Sequence, residues 1–104
     1  MAQFDVYPNP IAEQRKRVPY WVDIQSDFLR HLETRVILPL PRVGDRALLI
    51  EGLNPTFEVN GIGVYADTGN MAAFPQRLLK RPAATLKTES HHLISAFDFL
   101  IAGV

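Results

Sequence analysis

Two short apolar runs, Tyr20–Ser26 and Arg35–Leu40, do most to limit what this chain can fold into. Tyr20-Trp21-Val22 is aromatic and β-branched, and Asp23-Ile24-Gln25-Ser26 then alternates polar with apolar. Arg35-Val36-Ile37-Leu38-Pro39-Leu40 is a second apolar run with a proline near its end. Runs of this length and residue type predict strands. The connection Asp27–Thr34 is polar but carries Phe28, Leu29 and Leu32. Two strands joined this way are expected to pair antiparallel in the middle of a sheet. Side chains alternate along a strand, so Val22 and Ile24 are expected on the core face. Asp23 and Gln25 then fall on the other face, which is expected to be wet or to meet a partner.

The flanking segments extend the pattern. Gln3–Tyr7 alternates and predicts a first strand, stopped by Pro8-Asn9-Pro10. Arg15-Lys16-Arg17 reads as a solvated loop tip or as a phosphate-contacting patch. Ala47–Ile50 predicts a short buried element of undetermined type. Thr56–Val59 and Ile62–Ala66 flank Asn60-Gly61, the dipeptide that best tolerates the positive φ angles of a tight hairpin. Gly63 predicts a bulge or a close backbone approach. Met71–Pro75 is apolar, and Gln76–Lys80 predicts an edge strand guarded by Lys80, Arg81 and Pro82.

The last segment predicts a helix, with Thr88 as N-cap and Glu89 in the first turn. Leu93, Ile94, Ala96, Phe97, Leu100, Ile101 and Val104 share one broad face at helical spacing and are expected to form its core side. His92, Ser95, Asp98, Phe99 and Ala102 lie opposite. Phe99 stands among polar neighbours, where it either packs against a loop or marks a partner surface. Gly103 is expected to end the helix. The fold class that results is mostly β with one C-terminal α-helix, a small antiparallel barrel or half-barrel, in a single domain spanning residues 1–104.

Composition narrows the function classes. Eleven basic and eleven acidic residues cancel, which argues against a general nucleic-acid binder. The chain has no cysteine, which excludes disulfides, thiol catalysis and thiolate metal sites and fits the cytosol. The N-terminus shows no secretory pattern, and no apolar stretch reaches the roughly 20 residues that span a bilayer. His91 and His92 are adjacent and project about 100° apart on a helix, so they do not ligate one metal from one face. No nucleophile elbow, phosphate-cradling glycine loop or zinc spacing is present. A ribonuclease arrangement would draw on His31, Arg30 and Arg35 as acid, base and phosphate clamp, against the simpler reading of a charged inter-strand loop.

Five segments, in order, resemble the CcdB family of bacterial toxin–antitoxin toxins: Gln3–Tyr7, Val22–Asp27, Arg35–Leu40, Asn70–Pro75 and Asp98–Val104. The resemblance covers nearly the whole chain, with Pro41–Val59 the poorest match. It implies an SH3-like barrel with a C-terminal helix, assembled as a symmetric homodimer in the bacterial cytoplasm. It implies a non-enzymatic, cofactor-free toxin of the kind used in plasmid maintenance, which binds the A subunit of DNA gyrase and traps the covalent cleavage complex. It does not imply direct sequence-specific nucleic-acid binding. A cognate CcdA-like antitoxin would neutralise it through a disordered C-terminal part.

The gyrase contact implied by the resemblance maps to Ala102, Gly103 and Val104, flanked by Ser95, Asp98 and Phe99 and by Ser26 and Asp27. The family pattern has Trp where this chain has Ala102. Two indoles near a two-fold axis sandwich a target arginine, which alanine does not do. Compensation by Phe99 or another residue, weaker gyrase binding, and a decayed toxin that only binds antitoxin are the alternatives this departure opens. An endoribonuclease on the same barrel is a further one.

Overall fold

The computed structural model describes residues 2–44 and 49–103. Its strands are β1 Asp5–Pro8, β2 Tyr20–Asp23, β3 Thr34–Leu40, β4 Thr56–Val59, β5 Ile62–Tyr65, β6 Ala72–Pro75 and β7 Ala84–Thr85, followed by helix α1, Ser90–Ala102. Single 3₁₀ turns at Ala12–Gln14, Asp27–Leu29, Thr68–Asn70, Gln76–Leu78 and Lys87–Glu89 join them. Five strands form an antiparallel sheet in the order β6-β3-β2-β1-β7, and β4 and β5 form a hairpin. As expected, β2 and β3 are central and antiparallel, with Val22 opposite Leu38 and Trp21 opposite Pro39. Pro39 is tolerated there because β6 pairs only with Thr34–Ile37, so its missing N–H faces no partner strand.

The hairpin forms at Asn60-Gly61, whose φ angles of 49° and 82° are those a two-residue turn requires. An isolated bridge between Arg42 and Val64 carries pairing from the end of β3 to β5. The Tyr65 and Val43 amides reinforce it, donating to the Pro41 and Gly63 carbonyls at 3.0 Å each. Gly63 makes no bulge: it pairs in register with Glu58, and a Cβ there would meet open space.

Both sheet faces are covered, which corrects the expectation of one wet face. On one side Val6, Val22, Leu38, Leu40, Phe57, Val59, Val64, Leu86 and Leu93 form the larger core. On the other, Tyr7, Trp21, Ile37 and Leu79 form a second cluster, with the Trp21 and Phe74 rings 4.4 Å apart. Asp23 and Gln25 are therefore buried, at 0% and 7% exposure. Each fully buried Val, Leu or Ile contributes about 1.5–3 kcal/mol, so the two layers together supply the driving force.

Other boundaries differ for local reasons. β1 starts at Asp5 because Phe4 adopts φ 72°, a left-handed conformation that ends the extended run. Gln76–Leu78 is a 3₁₀ turn, not an edge strand. The sheet's edges are β6 and β7, and the Ala83 and Leu86 amides flanking β7 donate to the Val6 and Phe4 carbonyls. The 3₁₀ turn takes in Thr88, and α1 begins at Ser90. Neither the turn nor α1 has a side-chain cap; just before the turn the Thr85 hydroxyl accepts the Lys87 amide at 3.2 Å. Of the element expected at Ala47–Ile50, residues 47 and 48 lie outside the described residues, and Leu49 and Ile50 are exposed.

Candidate functional site

The segment Ile24–Leu29 leaves the sheet at the end of β2, and a buried polar network fixes its course. Arg35, fully buried on β3, donates from Nε and Nη2 to Asp23 Oδ2 at 2.8 and 2.7 Å. Its Nη2 also reaches the Gln25 carbonyl at 3.3 Å and lies 3.8 Å from Asp27. Gln25 replaces the lost ladder: its Oε1 accepts the Val36 amide and its Nε2 donates to the Leu29 carbonyl, both at 3.1 Å. From the N-terminal side, Gln3 donates its amide to Asp27 at 2.9 Å and its Nε2 to the Ile24 carbonyl.

Ser26 caps the following 3₁₀ turn by accepting the Phe28 amide at 3.2 Å. The two sequence-predicted residues here, Ser26 and Asp27, thus hold the tip in shape while remaining partly or fully open to solvent. What they hold out is Phe28, 94% exposed. Sequence reasoning assigned Phe28 no role, although an aromatic in a polar connection was a visible signal.

Burial pushes the Asp23 carboxyl above its ordinary value, against the hydrogen bond and charge of Arg35 and the Gln25 amide. The Tyr7 phenol is pushed up to about 12, first by burial and then by the negative charges of Asp5 and Asp23. These groups maintain the frame; neither is open to a partner.

Helix α1 is fixed by a narrow stripe. Leu93 and Ala96 are its buried residues, while Ile94, Phe97, Leu100 and Ile101 are 39–69% exposed. The broad apolar arc expected to face the core therefore does so only in part, because the rest of the chain covers only one edge of it. Ile94 and Phe97 line an open apolar groove of about 310 Å³ with Phe4, Ile24, Leu29 and Val36, and Ser26 sits on its rim.

Ser95, Asp98 and Phe99 line a shallow depression with Gly52. Phe99 is half-buried, its ring 3.4 Å from where a Gly52 Cβ would stand, so it packs against the 49–53 loop. Ala102 and Gly103 are exposed at the helix end, where Gly103 caps the helix at φ 75° by donating to the Phe99 carbonyl. Val104 lies outside the described residues. The structure thus gathers Ser95, Asp98 and Phe99 around one depression, and Ser26 shares the groove with Ile94 and Phe97.

The ribonuclease set read from the sequence is not assembled. Arg35 is fully buried and committed to Asp23, so it is not available as a surface phosphate clamp; His31 and Arg30 are left beside Phe28 in a shallow dent. Among the described residues, no three His, Asp or Glu side chains gather to hold a metal. Also among them, no helix is long and apolar enough to cross a membrane.

No curated protein matches the chain. The family model described as CcdB protein matches residues 3–103, which include the Ser26–Asp27 tip, both apolar layers and the whole of α1. The chain belongs to the CcdB family.

Proposed function

We propose that this protein is the toxin of a type II toxin–antitoxin module and acts by binding, without catalysis, to the A subunit of DNA gyrase. Family membership supports the toxin assignment. The observation that carries the finer reading is that the family match runs through an exposed helix end, Ala102-Gly103, closed by the Gly103 cap. Ser95 and Asp98 stand exposed on the same helix, and Ser26 shares the apolar groove with Ile94 and Phe97 of that helix.

The protein works as a symmetric homodimer in the bacterial cytoplasm. The exposed side chains Ile94, Phe97, Leu100 and Ile101 support this, since contiguous apolar surface on a helix is normally covered. The bridge from β3 to the hairpin supports an SH3-like barrel. A CcdA-like antitoxin is its neutralising partner. Ala102 makes no indole sandwich, and Phe99, committed to the loop at Gly52, does not replace it. Gyrase affinity is accordingly lower than a tryptophan at this position would give, by on the order of 2 kcal/mol or more.

The test is gyrase-dependent cleavage of supercoiled DNA by the purified dimer. Linear DNA accumulating with gyrase, and lost on deleting Gly103 and Val104, supports the reading. Absence of cleavage at saturating toxin, or cleavage of RNA without gyrase, overturns it.

A further inference from the structure

Cations from two segments far apart in sequence meet in one cleft. Arg15, from the loop after β1, faces Arg77, Lys80 and Arg81, from the segment between β6 and β7, around a cavity of about 540 Å³. No carboxylate lines it, and among the described residues none pairs with any of the four cations. Arg15 is held by its Nε, which donates to the Asn9 carbonyl. Its two terminal nitrogens remain available.

The other walls are Pro8, Pro10 and Leu78. They are apolar, and the prolines offer no backbone N–H. An anion in this cleft is therefore bound by side-chain guanidinium and ammonium groups, while the apolar walls accept hydrocarbon. Arginine forks fit carboxylates two bonds at a time.

We infer that this cleft binds an acidic peptide segment of a partner protein, one in which carboxylates alternate with apolar side chains. A nucleic-acid backbone is the poorer occupant. It leaves the proline and leucine walls uncovered. The whole chain also carries no net charge, so the long-range attraction on which phosphate-backbone binding depends is missing. The volume lies within the range of pockets that hold ligands specifically.

The cleft sits apart from the helix end. Leu79, between the cleft residues Leu78 and Lys80, packs with Tyr7 and Trp21 on the sheet face opposite the layer that includes Leu93. A peptide seated here leaves the helix end open, so the inference does not depend on the gyrase reading.

The test is fluorescence anisotropy of a labelled peptide of alternating Glu and Leu titrated with the full-length protein. Saturable binding is expected, weakened by salt. It is expected to weaken roughly tenfold or more in the triple variant Arg77→Gln/Lys80→Gln/Arg81→Gln with the unfolding midpoint unchanged. A protein carrying Arg77→Glu and Arg81→Glu is expected to prefer the corresponding Lys–Leu peptide, which separates charge recognition from any loss of fold. No saturable binding, binding that survives the triple variant, or tighter binding of a DNA oligonucleotide of equal charge overturns the inference.

Discussion

The guanidinium of Arg35 and the carboxylate of Asp23 lie 2.7 Å apart with both side chains fully buried, joining β3 to β2 where the exposed tip leaves the sheet. A buried ion pair is costly to break because removing one partner strands the other charge away from water. Arg35→Ala is expected to destabilise the fold by about 3–5 kcal/mol in urea denaturation. The double replacement Arg35→Met/Asp23→Leu is expected to recover most of that loss. A double variant no more stable than the single one would refute the pairing as the reason.

The same pair sets a pH dependence. Burial raises the Asp23 carboxyl above 3.8 in the folded state, so the folded protein holds that proton more tightly than the unfolded chain. Its contribution to stability is fullest below pH 3.8 and declines as pH rises through the raised value. Stability of the wild type relative to Asp23→Asn is expected to fall with rising pH across that window in parallel chemical denaturation series. A rise would mean that the hydrogen bond to Arg35 outweighs burial.

Tyr7 gives a prediction at the alkaline end. Its hydroxyl is buried and finds no partner among the described residues. Tyr7→Phe is therefore expected to change stability at neutral pH by less than about 1 kcal/mol. Between pH 10.0 and about 12 the wild type is expected to lose stability, because its phenol ionises more readily once unfolded. Thermal melts of both proteins over that range are expected to show the loss reduced in Tyr7→Phe.

Gly52 and Phe99 form one unit. Gly52 sits at φ 84°, with the Phe99 ring 3.4 Å from the position a Cβ would take. Gly52→Ala is expected to cost about 1–2 kcal/mol from the left-handed conformation alone. Differential scanning calorimetry is the measure, and an unchanged midpoint would contradict the left-handed conformation at Gly52.

The open arc of α1 predicts assembly. Phe97→Asp and Ile94→Asp are expected to convert the proposed dimer to monomer in sedimentation velocity at micromolar concentration while leaving each protomer folded by circular dichroism. Both residues are more than two-fifths exposed in the protomer, so a charge there does not disturb its own core. A variant that stays dimeric would place the interface elsewhere.

Much of this was legible in the sequence, and the misses have physical causes. Asn60-Gly61 announced the hairpin because few residue pairs accept two positive φ angles in succession. The pairing of β2 with β3 followed from two apolar runs and a short link. Strand β7 was not legible: Ala84 and Thr85 form no recognisable run, and their pairing is set by Asp5 and Val6, far back in the chain. Arg35 read as a surface charge because its partner lies 12 residues away and is itself a polar residue on the strand face assumed to be wet.

The site was legible to the same degree. Helical spacing placed Ser95, Asp98 and Phe99 together, and the structure agrees. It did not tell which apolar positions of α1 turn inward, because residues facing the chain's own core and residues facing a partner look alike in one sequence. Nor did it join Arg15 to Arg77 and Arg81, whose meeting depends on how two loops flank β1.

Only Leu93 and Ala96 anchor α1 deeply, whereas Val6, Val22, Leu38 and Leu40 are wholly enclosed in the layer beneath it. An element moored at two points detaches at lower cost than the platform that carries it. In the lone subunit, helix amides should exchange with deuterated solvent well before those of the central strands, and the final turn should be the first stretch a protease reaches. The surface proposed for recognition is thus also loosely fastened, and whatever covers it in the cell will set how long the protein lasts.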